Sequence, residues 1–330
     1  MRFALDTHRL DFAASIDAML GAADVPRISR SLAAGDIGPV RALFRSLADL
    51  GVTGLTIDAE HDGIGAEPLD VVVALERLGR WAVPGPVVES LVAVPVLLSN
   101  LDPTDRARRD TWLTGLATGD AVASATVGSV VPRAPDPEVA DLLLLVDDYS
   151  VSTGSVVFVH DSVDPSRRLG DLVAVDPVSA GDTRPVVDVV STYASLACAA
   201  QLLGAGRALL DTTAEYARSR RQFGRSIGTF QAVKHALADV SIGLEMARPL
   251  LWGAALSLAA DSPDARRDVS AAKVACGDAA YRASRTALQI HGAIGYTREY
   301  DVSLWIAKVQ ALRSAWGTGA QHRRIVLEAL

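Results

Sequence analysis

Two stretches of this chain place residues with recognisable binding chemistry at close spacing. The first, YARSRRQFGRSIGTFQAVKHALADV at 216–240, carries Arg220, Phe223, Gly224 and Gln231. The second, LQIHGAIGYTREYDVSLW at 288–305, carries Gln289, His291 and Gly292. An arginine at the end of a helix can form charge-assisted hydrogen bonds to a pyrophosphate, and a phenylalanine beside it offers an apolar face to an adenine or ribose. A glutamine opening the next helix adds a side-chain amide to backbone N–H groups that have no partner inside the helix. Glycine lets backbone approach a ligand closely. Each residue alone has a plainer explanation: Arg220 as a dipole partner, Phe223 as core, Gly292 as a helix stop. Their joint occurrence at this spacing favours a binding role over these plainer ones.

These residues need long helices to hold them, and the pattern supplies them. From about residue 191 the chain is rich in Ala, Leu and Arg, and helices are expected over 191–220, 230–261, 264–291 and 302–313. Short connectors (FGRSIG, DSPD, GAIGY) separate them, which suggests an up-and-down four-helix bundle. The preceding region, 119–190, has short β-branched runs (AVASATV, DLLLLVD, SVVFVH, DLVAVD) that read as strands of a small β domain. Residues 1–118 are helical again. Leu10, Phe12, Ile16, Met19 and Leu20 recur at helical spacing after Asp6, with further helices over 39–50, 69–80 and 87–98 and a Gly/Asp-rich loop at 58–68. The fold class is therefore α+β, organised as 1–118, 119–190 and 191–330.

Bulk properties narrow the function classes. The chain has 330 residues, 49% hydrophobic and 22% charged, with net charge −7. The acidic balance and lack of a basic block argue against nucleic acid. No apolar run suggests a membrane span, and the N-terminus lacks a signal-peptide layout. The two cysteines, Cys198 and Cys276, sit in apolar segments, so a reducing cytoplasm is expected. His61, His160 and His235 have no partner at metal-ligand spacing, and no metal site is expected.

Together with GVTGLTIDAEHDGIG and the α–β–α order, the two motifs resemble the acyl-CoA dehydrogenase family over essentially the whole chain. The resemblance implies an N-terminal helical domain, a small central β domain and a C-terminal four-helix bundle. It implies FAD, with Arg220, Phe223, Gln231, Gln289 and Gly292 holding its ADP half across a subunit interface. Ala293 stands where the family usually has a second glycine. The implied reaction is α,β-dehydrogenation of an acyl-CoA thioester, with the α-proton going to a carboxylate and the β-hydride to the flavin.

That carboxylate is missing from both places where the family carries it. The Y-E-G-T-like segment here is Ser314-Ala315-Trp316-Gly317-Thr318, so Trp316 occupies the glutamate position. The alternative position, on the first helix of the bundle, is Ala194. A positioned base typically contributes ~10²–10⁴-fold, and tryptophan has no basic atom. Glu215, Glu299 and Glu328 are poor substitutes by pattern. The T-E-P-x-A-G-S-like loop that cups the flavin ring is also absent, its place taken by Ser124–Pro132, SATVGSVVP.

The resemblance explains this asymmetry through a heteromer. Some bacterial family members, notably those acting on steroid-CoA intermediates, pair two unlike chains. One supplies base, flavin-ring pocket and most of the acyl-CoA contact, and the other supplies adenine-side residues. This chain is expected to be the second kind, with a homologous catalytic partner, FAD shared across the interface and an electron-transfer flavoprotein as acceptor. Two alternatives stay open: a self-sufficient flavoprotein with an unrecognised base, and a catalytically silent scaffold.

Overall fold

The computed structural model describes residues 4–128, 130–298 and 300–330. The first part is helical: α1 (Thr7–Ala22), α2 (Val25–Ala33), α3 (Gly38–Asp49), α4 (Pro68–Arg80), α5 (Val94–Asn100) and α6 (Arg106–Ala117). Asp6 caps α1, its carboxylate accepting from the Arg9 N–H at 2.9 Å. A π-helical turn, Glu89–Ala93, leads into α5. Its cause is local: Pro95 has no N–H to offer the Leu91 carbonyl, which takes the Thr56 hydroxyl instead at 2.8 Å. The expected helices over 39–50, 69–80 and 87–98 are present with small shifts at their ends. The short α2 and α6 were not expected.

The β region forms one curled sheet of β1 (Ala123–Val127), β2 (Ala134–Pro135), β3 (Leu142–Asp147), β4 (Ser150–Asp161) and β5 (Arg168–Ala180), in the order β1-β3-β4-β5-β2. β1 and β3 pair in parallel, and the β3–β4, β4–β5 and β2–β5 pairs are antiparallel. The two ends of this order meet, because Ser124 Oγ of β1 donates to the Pro135 carbonyl of β2 at 2.6 Å. A buried ion pair, Lys308 to Asp164 at 3.1 Å, fastens the β4–β5 connector to the helices that follow.

The last part contains α7 (Arg184–Ser219), α8 (Gln231–Ala259), α9 (Ala265–His291), α10 (Val302–Ser314) and α11 (Gly319–Glu328). A two-stranded hairpin, β6 (Arg221–Gln222) and β7 (Arg225–Ser226), joins α7 to α8. Helix α7 starts at Arg184 rather than near residue 191, because Pro185 at its first turn suits helix initiation. Contrary to the reading that no apolar run is long enough, α7 carries one that by length and composition could cross a membrane. Most of that window is buried, and α7 packs against α4, α8, α9 and α10 as the central helix.

Contact between α4 and α7 is backbone to backbone. A Cβ on Gly204 would sit 1.9 Å from the Glu76 carbonyl oxygen, and one on Gly79 would sit 2.1 Å from that of Gln201. Neither neighbour is a flexible side-chain tip, so relief requires moving a helix. Gly204→Ala is therefore expected to destabilise the protein by about 3 kcal/mol, at the upper end of overpacking costs. Urea unfolding against the wild type measures it; an unchanged midpoint would mean that the helices are not this close.

Candidate functional site

The first candidate locus lies where α7 ends and α8 begins. Arg220 caps α7 in extended conformation, its N–H bonded to the Tyr216 carbonyl at 2.8 Å. The hairpin that follows turns on Phe223 (φ 52°) and Gly224 (φ 78°). Two successive positive φ angles suit a tight two-residue turn, but an aromatic side chain is rare there. Phe223 is also 91% exposed. Its only ring neighbour among the described residues is Phe230, edge-on at 6.2 Å, itself covered by the Arg225 guanidinium at 4.1 Å. Arg218, Arg220, Arg221 and Arg225 form no salt bridge among the described residues, although most other arginines do.

Gln231, exposed, is the first residue of α8, and Phe230 before it gives no side-chain cap. The first-turn N–H groups of α8 therefore remain available. Gln289 is exposed near the end of α9, and Gly292 closes that helix with φ 65° and ψ −141°. Nothing lies within 4 Å of a Cβ built on Gly292, so its backbone angles alone call for glycine. His291 brings these residues to the end of the bundle that holds Arg220. Its ring is buried, stacks on Tyr216 of α7 at 4.3 Å and donates through Nδ1 to the Ala287 carbonyl at 2.8 Å. Burial holds its pKa below the usual histidine value, so it packs as a neutral ring. The α7–β6–β7–α8 junction and the end of α9 thus lie at one corner that presents Phe223, Gln231 and Gln289 to the surface.

The second locus surrounds Trp316, and here the structure adds a residue that the sequence reading did not name. Trp316 is 2% exposed and adopts φ 55°, followed by Gly317 at φ 105°. Its indole Nε1 donates to Glu89 Oε1 at 2.9 Å. Its carbonyl accepts from Ser195 Oγ at 3.1 Å and from His322 Nε2 at 3.0 Å. Lys273, buried in α9, donates to the carbonyls of Leu312 at 2.8 Å and Ala315 at 3.0 Å. The sequence reading did not single out Glu89, which the π-helical turn brings to the Trp316 indole. Burial pushes the Glu89 carboxyl above its ordinary range, against the pull of Arg167 and the indole N–H. The available signal was a lone glutamate inside the apolar run PVVESLVAVPVLL, where a buried carboxylate must find a partner.

The other candidates make no hydrogen bond with Trp316 among the described residues. Ala194 is fully buried in α7. Glu215 is exposed on α7, Glu328 pairs with Arg324 on α11 at 2.6 Å, and Glu299 lies outside the described residues. In the SATVGSVVP segment, Val127 and Val131 bond to each other at 2.9 and 3.1 Å, so the chain doubles back instead of forming a wide loop; Ser129 there also lies outside the described residues. Two small voids remain. One, of about 130 Å³, is bounded by Glu89, Val130, Pro132, Arg133, Arg167 and Trp316. Another, of about 150 Å³, is bounded by Ser191, Ser195, Ser270, Trp316 and His322. Pockets that hold small molecules usually span about 300–1,000 Å³. Each by itself is below that range.

His322 gives this locus a pH dependence. Its Nε2–H is committed to the Trp316 carbonyl, so Nδ1 accepts from Ser270 Oγ at 3.1 Å and the ring is neutral. Burial lowers its pKa from 6.5 to about 4. Between those values the unfolded chain binds a proton that the folded chain refuses, so stability falls as pH drops through that window. His322→Gln should remove this acid-side loss, about 3 kcal/mol at most. Unfolding free energies of both proteins from pH 7 to 4 check it; parallel curves would reject the assignment.

Among the described residues no group of three or more His, Cys, Asp or Glu is placed to hold a metal ion. Cys198 and Cys276 are buried free thiols.

Comparison with known proteins agrees with this architecture. The acyl-CoA dehydrogenase N-terminal domain matches residues 10–120, and the acyl-CoA dehydrogenase C-terminal domain matches residues 192–330. The acyl-CoA dehydrogenase IpdE2 of Mycobacterium tuberculosis is 30% identical over 288 residues, covering 86% of this chain and 85% of the relative. The ChsE4–ChsE5 complex of Mycobacterium tuberculosis superposes with a TM-score of 0.83 at 24% identity, covering 99% of this chain and 98% of that one. A structure described as a Tcur3481–Tcur3483 steroid ACAD variant gives 0.82 at 21% identity, covering 97% of each chain. With matches over both helical parts and a relative of this extent, the chain belongs to the acyl-CoA dehydrogenase family.

Proposed function

We propose that this chain is the non-catalytic subunit of a heteromeric acyl-CoA dehydrogenase and lends adenine-side contacts to FAD bound mainly by a homologous partner. The observation that carries this reading is the Phe223 hairpin: an aromatic ring presented to solvent at a strained turn, beside arginines that form no salt bridge among the described residues. Such a feature is stable in function only when a ligand covers it. Arg220 would contact the pyrophosphate and Phe223 the adenine or ribose. Gln231 and Gln289 would add amide contacts, and Gly292 would admit the ligand close to backbone. When bound, FAD supplies the hydride acceptor of the family reaction. The spaces beside Trp316 are each below ligand size, which supports placing the ring pocket on the partner.

The steroid description of one similar structure, with the two-chain names of that structure and of the ChsE4–ChsE5 complex, supports a ring-containing acyl-CoA as substrate class and an α2β2 assembly. An electron-transfer flavoprotein is the acceptor proposed for the assembled enzyme. The test is co-expression with a homologous partner that carries an intact glutamate, followed by flavin quantitation. One flavin per two chains supports the reading, and one per chain overturns it.

Glu89 favours a second reading, a self-sufficient flavoprotein with Glu89 as its base. The isolated chain would then purify yellow and active, and Glu89→Gln would abolish turnover. A colourless isolated chain removes that reading.

A further inference from the structure

We infer that Trp316 is an internal plug filling this chain's own ring site, with Glu89 as its hydrogen-bonding seat, and that the site behind it accepts a planar aromatic carrying an N–H donor. The inference deepens the preceding proposal, since it explains why one flavin would serve two chains, and it rests on that reading only for this consequence.

Trp316 and Val130 are the residues that the two small voids share. Trp316 thus borders both, its carbonyl toward Ser195 and His322 and its indole toward Glu89, so cutting the side chain away enlarges the space on the Glu89 side toward ligand size. The walls come from the segments where the resemblance places the flavin ring. Val130, Val131 and Pro132 follow β1, while Ser314, Ala315 and Trp316 close α10. The seat is specific, because the indole N–H meets Glu89 Oε1 at 2.9 Å, and both side chains are nearly fully buried.

The plug is also held from behind. The Trp316 carbonyl takes hydrogen bonds from Ser195 and His322, and the preceding turn takes two from Lys273. These four hydrogen bonds come from three side chains, on α7, α9 and α11, so the loop keeps its place when only the side chain is cut. A positive φ at Trp316 makes glycine the replacement that the backbone tolerates best.

The experiment compares the full-length wild-type chain with Trp316→Gly, using indole and its carbon isostere indene as probes. Indole at roughly a hundredfold excess over its Kd is expected to raise the Tm of Trp316→Gly by ~5 °C and to leave the wild type unmoved. Indene lacks the N–H and is expected to bind about tenfold more weakly, which reports the Glu89 seat. No indole effect on Trp316→Gly would overturn the plug, and equal binding of both probes would overturn the seat. Should Trp316→Gly fail to fold even with indole present, Trp316→Leu leaves a smaller void. Benzene must then raise its Tm and not that of the wild type, or the inference falls. None of these outcomes depends on a partner or on flavin, so a failed flavin count and a failed plug are told apart.

Discussion

Replacing Arg220 by alanine is expected to strip flavin from the co-expressed complex without dissolving the complex. Arg220 caps α7 through its backbone, which alanine preserves, and its side chain has no hydrogen bond or ion pair among the described residues. Little folded-state energy is therefore lost. A guanidinium bonded to a pyrophosphate is worth about 1.5–3 kcal/mol, and 1.4 kcal/mol is a factor of ten in affinity. FAD affinity should fall about 10- to 150-fold, turnover should fall with bound flavin, and saturating FAD should restore part of both. Flavin absorbance after gel filtration, with FAD titration of the apo complex, reads this directly. Unchanged flavin content and turnover would mean that this chain only supports its partner structurally. Arg220→Lys keeps the charge but not the bidentate geometry, and should fall between the two.

The second large effect is a failure to gain function. Trp316→Glu restores the family's carboxylate at its usual position, yet the isolated protein is expected to remain inactive and to lose stability. Removing a buried tryptophan costs about 3–5 kcal/mol. The introduced carboxyl would also face Glu89, whose burial already disfavours ionisation, and two buried carboxylates at hydrogen-bond distance cannot both be charged. Nor does the substitution widen SATVGSVVP, where Val127 and Val131 are bonded to each other. Urea unfolding and an acyl-CoA-dependent dye-reduction assay test the two halves of the expectation. A yellow, active homomeric Trp316→Glu enzyme would show that the β region can still hold a flavin ring.

Helix and strand identity was largely legible because each depends on local periodicity. The Ala/Leu/Arg segments of the bundle and the β-branched runs of the sheet appear where the pattern placed them. The short helices were less legible. Helix α6, RARRDTWLTGLA, has little amphipathic contrast, and α11 is announced only by a capping box, Thr318 with Gln321, just after the segment that lacks the family glutamate. The candidate binding residues were legible as types at fixed spacing, since helix ends and turns put Arg220, Phe223 and Gln231 on one connection. Their common exposure was not, because burial is decided by what else packs nearby.

By itself the sequence determined the family motifs, the α–β–α order and the absence of glutamate at Trp316 and Ala194. Only the tertiary structure decided that a different carboxylate reaches Trp316. Glu89 and Trp316 are 227 positions apart, and their meeting depends on a proline-induced π turn, on a left-handed residue at the end of α10 and on the helices between them. Local pattern records which side chains a segment offers, whereas long-range packing sets where they point.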